Sequence, residues 1–230
     1  MRNLSALVLS ILISASLFSC NNSASDPNNT NSRIGYDSLS EAGDTLTQHA
    51  GAFSTAIHHV VNDINQIPVT GNADRDFAIL LKSHYQGEVD LAQAELKNGK
   101  DDALKRMAKH ISGVQKNEIT SLEHFLDSVK KGPLSVSSDK NNKDTGFGKV
   151  IATLKSMMWD MSKMDTAMVA DKQFVVVMIP HLQSAVYLSE GYLKFGKDAL
   201  LTQKATEIIP RKKKQIEELR KWMNANKAIR

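Results

Sequence analysis

From residue 39 onward the chain keeps one rhythm, with apolar positions three and four apart interrupted by short polar turns. The stripe Phe174, Met178, His181, Leu188, Tyr192 and Phe195 has this spacing, which puts its members on one face of a helix. The pattern predicts a long helix over roughly residues 39–66, opened by a Ser38-x-x-Glu41 capping box, and another over roughly 147–164. It predicts a helical hairpin after each. Gly99-Lys100-Asp101 and Gly196-Lys197-Asp198 read as the hairpin turns, a terminal glycine followed by the N-cap of the next helix, and Asp74 and Asp171 read as the N-caps that open the hairpins.

The two hairpins are copies. Residues 74–126 shifted by 97 positions fall on 171–223 without a gap, matching Asp74 with Asp171, His84 with His181, Gln86 with Gln183, Gly99 with Gly196, Asp101 with Asp198 and Leu122 with Leu219. A single hairpin cannot bury its apolar stripe, whereas four helices in two hairpins enclose a continuous core. The expected fold is therefore all-α: a four-helix bundle of two repeated hairpins with two additional preceding helices. Its boundaries are residues 39–131 for the first helical repeat, 132–146 for a linker and 147–230 for the second.

Composition agrees with this. The 230 residues include 12 glycines and 5 prolines, few for a turn-dense β fold, and one cysteine, which excludes an intramolecular disulfide framework and a cysteine-rich zinc site. The net charge of +4 is a mild excess.

That cysteine has a distinctive place. Met1-Arg2-Asn3 precedes an apolar stretch over residues 4–18 that ends in Leu17-Phe18-Ser19-Cys20, the arrangement of an export signal. The end of this segment resembles a bacterial lipobox, in which the cysteine is acylated and becomes the first residue of the mature chain. Residues 1–20 are thus expected to be a lipoprotein signal peptide with Cys20 the lipidation site. The Asn- and Ser-rich segment 21–38 is expected to be a disordered tether. The implied location is the bacterial cell envelope, with the membrane as partner through the lipid anchor.

Candidate chemistry concentrates in the second half. Six of the nine methionines lie between Met157 and Met178, and Met157, Met161, Met164 and Met168 fall within about 60° of one another on a helix. Thioethers select soft Cu(I) over hard cations. Met178 and His181 add a sulfur and an imidazole one turn apart, and His84 is the counterpart of His181. His58-His59 aligns with Met157-Met158 when two residues are gapped. The expected soft-metal ligands are Met157, Met161, Met178, His181, His84 and His58, and the expected ion is copper. The same stripe is also what adaptable core packing looks like. In the first repeat, Glu88 follows His84 by one turn, and Gln115 and Glu118 occupy the facing helix, where they are expected to form a polar network with it.

Asp171, Phe174 and Met178-Ile179-Pro180-His181-Leu182-Gln183 resemble the signature of the domain-of-unknown-function 305 family, and Ile111, Gln115, Glu118 and Ile119 resemble its second half. The resemblance implies an exported, ferritin-like helical bundle, with copper binding in methionine- and histidine-rich relatives. Leu182 and Tyr85 stand where the family has a second histidine, and Leu91 and Leu188 where methionine is usual, so the ligand set is thinned.

Other activities lack their parts. No histidine has a glutamate three residues before it, so the Glu-x-x-His motifs of a di-iron bundle are missing, as are a nucleophile elbow and a phosphate-cradling loop. No enzyme activity is expected. The run Arg211-Lys212-Lys213-Lys214 reads as the wet face of an amphipathic helix or a contact to anionic headgroups. With few interleaved aromatics, nucleic acid is not an expected partner. Two readings follow: a lipid-anchored copper-binding and buffering bundle, or a non-enzymatic structural or interaction module with a degenerate metal site.

Overall fold

A computed structural model of the chain describes residues 37–130, 146–164 and 168–227, with side chains from residue 51 on. The expected signal peptide, Cys20 and residues 21–36 of the expected tether lie outside the described residues, as does nearly all of the expected linker, while residues 37 and 38 already belong to the first helix. Among the described residues six helices run α1 Asp37–Gln66, α2 Ala73–Asn98, α3 Asp102–Lys130, α4 Phe147–Met161, α5 Ala170–Phe195 and α6 Ala199–Ala225. The described residues are otherwise turns and irregular segments, and the fold is all-α as expected. None of the described helices is long and apolar enough to cross a membrane.

The α2–α3 and α5–α6 hairpins pack through α2 against α5, while α1 covers α2 and α4 covers α5. Phe77, Leu81, Leu91, Phe174, Val177 and Leu188 lie wholly inside, and burying such side chains contributes about 1.5–3 kcal/mol each. α3 and α6 are bridged by long side chains: Lys204 reaches Glu118 at 2.7 Å and the Trp222 indole donates to Asp101 at 2.9 Å.

The helix starts correct two expectations. α2 is capped by Asn72, whose Oδ1 accepts from the Arg75 amide at 3.0 Å. α5 begins after Val169 with no side-chain cap. Asp74 and Asp171 are therefore not N-caps. Each instead reaches across the bundle to the turn of the other hairpin: Asp74 Oδ1 accepts the amides of Lys197 and Asp198 at 2.8 and 3.1 Å, and Asp171 Oδ1 those of Lys100 and Asp101 at 2.9 Å each. Asp101 and Asp198 do cap α3 and α6, accepting from Leu104 and Leu201 at 2.9 and 3.0 Å.

The turn glycines are needed for space. Gly99 and Gly196 have φ of −69° and −73°, open to any residue, but a Cβ on either would overlap the side chain one turn earlier, Glu95 or Tyr192.

Candidate functional site

The crossing of α2 and α5 brings His84 and His181 together with no exposed surface on either. Gly87 makes room for this: a Cβ there would come within 2.6 Å of Val60 Cγ2 and 3.0 Å of His181 Cε1. The His181 Nε2 atom lies 3.1 Å from the His84 carbonyl oxygen and 3.2 Å from His84 Nδ1. A carbonyl only accepts, so His181 carries its hydrogen on Nε2, sharing it with His84 Nδ1. The remaining nitrogen, His181 Nδ1, is buried without a partner. His84 Nε2 then faces the Ser184 hydroxyl at 3.4 Å, and Ser184 donates to the His181 carbonyl at 2.7 Å with Met158 Sδ 3.4 Å away.

Both imidazoles are held neutral. Burial lowers His84 well below the ordinary histidine range, helped by the neighbouring His181 and Lys212. His181 is also lowered by burial, opposed in part by Glu88 and the His84 carbonyl. Neutral rings keep their lone pairs, as metal ligation requires. The two facing nitrogens, 3.2 Å apart, have about the spacing of two nitrogen ligands on one tetrahedral ion with bonds of about 2.0–2.1 Å.

The expected methionines divide. Met161 and Met178 are buried, one turn after Met158 and one turn before His181. Met157 is only half-buried, and the sulfur that meets Ser184, next to His84 Nε2, belongs to Met158. The face of α4 that enters the core is Val150, Ile151, Leu154, Met158 and Met161, which leaves residue 157 a third of a turn off. His58 is exposed, as is His59, and so contributes no ligand, because α1 turns Phe53, Ile57, Val60 and Ile64 inward. Val60 packs over Gly87 as Met158 packs by Ser184, and 87 and 184 correspond at the 97-residue shift. The α1 counterpart of the Met158 sulfur is therefore an aliphatic side chain.

Next to the histidines lies a second polar cluster. Glu88 Oε2 accepts from Lys212 Nζ at 2.5 Å and from the Gln115 amide, all three residues being buried. Lys212 also lies over the Tyr85 ring, 5.7 Å from its centroid. The expected first-repeat network thus exists, with Gln115 in it, but Glu118 stands at its edge, paired with Lys204 and 3.8 Å from Arg211. Sequence reasoning placed Lys212 on the wet face. It lies instead on the stripe Ile208, Lys212, Gln215, Ile216 and Leu219, and that spacing was the available signal. The rest of the basic run disperses too, with Lys213 on Glu190 at 2.8 Å.

Among the described residues no three or more His, Cys, Asp or Glu side chains converge as a metal cage. The donor set at the crossing is two imidazoles and a thioether, a soft set without a carboxylate.

Residues 74–223 match the family described as a domain of unknown function, DUF305. A DUF305 protein from Streptomyces coelicolor has a similar solved structure, with a TM-score of 0.51 and 17% identity over 68% of this chain and 95% of that one. CopM is similar at a TM-score of 0.49. Its silver-bound form is 20% identical and its Cu(I)-bound form 19%, each comparison covering 66% of this chain and 96% of that one. These likenesses are of fold at most. No curated protein matches the chain.

Proposed function

The chain belongs to the DUF305 family, and from that premise we propose that it is an exported, lipid-anchored bundle that binds a soft metal, copper as Cu(I), in buffering or handover and not in catalysis. One observation carries the reading: two neutral buried imidazoles face each other with their nitrogens 3.2 Å apart, and the Met158 sulfur lies 3.4 Å from the Ser184 hydroxyl that meets His84 Nε2. Met161 and Met178 are the next sulfurs inward along their helices, and both are buried. To accept an ion between the rings, His181 would move its hydrogen from Nε2 to the partnerless Nδ1 and release the His84 carbonyl. The ligand set in this reading is His84 and His181, with a thioether drawn from the buried Met158, Met161 or Met178. The anchor rests on Cys20 and the apolar stretch before it.

Anaerobic titration of the mature chain with Cu(I) against a competing chelator tests the site. One equivalent held more tightly than by His181→Ala and Met158→Leu is the expected result. Wild-type binding no tighter than that of the variants overturns it. The anchor has its own assay, since Cys20→Ser should move the protein out of the membrane fraction.

A second reading, a structural or interaction module with a degenerate metal site, draws support from the closed bonding at the crossing. There the histidines and Ser184 bond to one another, and Glu88 is neutralised by Lys212.

A further inference from the structure

Glu95 is fully buried in α2, and neither of its carboxyl oxygens meets a hydrogen-bond donor. Its Oε1 lies directly under Gly99, where a Cβ would overlap it, and Asp171 of α5 accepts the amide of the next residue, Lys100, at 2.9 Å, which brings the two carboxyl groups to the same turn. Oδ1 of Asp171 is already committed to the Lys100 and Asp101 amides, which hold Asp171 as an acceptor. A wholly buried carboxyl next to another carboxylate favours its neutral form. If one carries a hydrogen, the apparent orphan at Glu95 disappears, because the acid becomes a donor to Asp171.

The other end of the bundle shows the same contact with the hydrogen built in covalently. At the 97-residue shift Glu95 becomes Tyr192 and Asp171 becomes Asp74, and the Tyr192 hydroxyl donates to Asp74 Oδ1 at 2.6 Å. Asp74 in turn holds the Lys197–Asp198 turn as Asp171 holds the Lys100–Asp101 turn. Gly99 and Gly196 leave the matching space above each donor.

We propose that Glu95 is protonated in the native state and donates its hydrogen to Asp171, so that the carboxyl pair is a proton-operated latch fastening the Lys100–Asp101 turn to the start of α5.

Of the other charged groups near the pair, Asp101 in the turn and Lys105 on α3 act on Glu95, while Lys100 and Lys172 flank Asp171. Asp101 is not a competing acceptor: its Oδ1 holds the Ala103 and Leu104 amides, and its Oδ2 the Trp222 indole from α6. Burial first, then the hydrogen bond to Asp171 and the charges of Asp171 and Asp101, push Glu95 up to about 9, with Lys105 opposing. The unfolded chain releases this proton near about 4.3. Between those values the native state holds a proton that the unfolded state lacks, so the latch's contribution is whole at low pH and declines as pH rises toward 9. The slope is at most roughly tenfold in the unfolding constant per pH unit.

Urea denaturation of the purified protein and of Glu95→Gln from pH 5 to pH 10 tests this. The glutamine amide donates to Asp171 without titrating, so the variant should lack this slope and be the more stable protein at pH 9. In the wild type, the 13C signal of the Glu95 carboxyl should titrate above pH 7. Amide protection at Lys100 and Asp101 should fall over the same range while Lys197 and Asp198 keep theirs. A Glu95 signal that titrates near pH 4, or parallel pH profiles for the two proteins, overturns the latch. The carboxyl signal decides the matter even if the variant does not fold.

Discussion

In the second hairpin the inward positions of α5 include Ala185 and Tyr192, whereas the corresponding positions of α2 hold Glu88 and Glu95, both fully buried. One backbone plan thus carries an aliphatic and aromatic version and an acidic version. The acidic version is possible because its partners come from other helices: Lys212 of α6 and Gln115 of α3 meet Glu88, and Asp171 of α5 stands by Glu95. The aromatic version supports itself by packing, with Phe77 stacked on Tyr192 at 4.1 Å between ring centroids and Phe147 edge-on at 6.2 Å. The α5 face is held by contact area, which tolerates loss in proportion. The α2 face adds two buried acids to its apolar contacts, and at Glu88 the loss of its partner strands a buried charge.

The harshest way to break this contrast is to remove Lys212. Lys212→Met leaves Glu88 buried without its counter-charge and should cost about 3–5 kcal/mol in urea denaturation at pH 7. Adding Glu88→Ala, which copies Ala185, should recover most of that loss. If the double variant is no better than the single, Glu88 is not the group that Lys212 compensates. Next in size is Asp74→Ala, which takes the acceptor from two backbone amides and from the Tyr192 hydroxyl. Its expected cost is about 2–3 kcal/mol, read as a lower urea midpoint with unchanged slope.

The sequence made the scaffold legible because its signals are local. Helical periodicity, the paired Gly-Lys-Asp turns and the Asp101 and Asp198 caps act within a few residues, and each appears where the spacing predicted. What stayed hidden acts across helices. Asp74 and Asp171 sit in the first turns of α2 and α5 and look like caps, yet their partners lie in the other hairpin, 70 or 123 residues away along the chain. Lys212 was obscured by its neighbours Arg211, Lys213 and Lys214, although it falls on the apolar stripe of α6. At the candidate site His84, His181, Met161 and Met178 are buried, as their apolar stripes imply. The methionine spacing by itself points to Met157, but the aliphatic residues Val150, Ile151 and Leu154 decide which face of α4 is buried, and that face holds Met158.

The mildest test compares the two latches directly. Tyr192→Phe keeps the stack on Phe77 and removes only the hydroxyl that donates to Asp74, a bond worth about 1–2 kcal/mol because its acceptor is charged. Burial, with the hydrogen bond to Asp74 and its charge, raises the Tyr192 hydroxyl above the ordinary tyrosine range, so it stays a donor through pH 9. The cost of losing it should therefore be the same at pH 5 and at pH 9, read as a constant offset between the urea profiles of wild type and variant. The acidic latch must behave differently, because its donor is lost as the medium becomes alkaline. A Tyr192→Phe offset that shrinks toward pH 9 would mean that the phenol ionises in the native state, and the two ends would then differ in degree and not in kind. A constant offset beside a sloping Glu95→Gln difference would show that one hairpin fastens its neighbour with a fixed hydrogen and the other with one drawn from solvent.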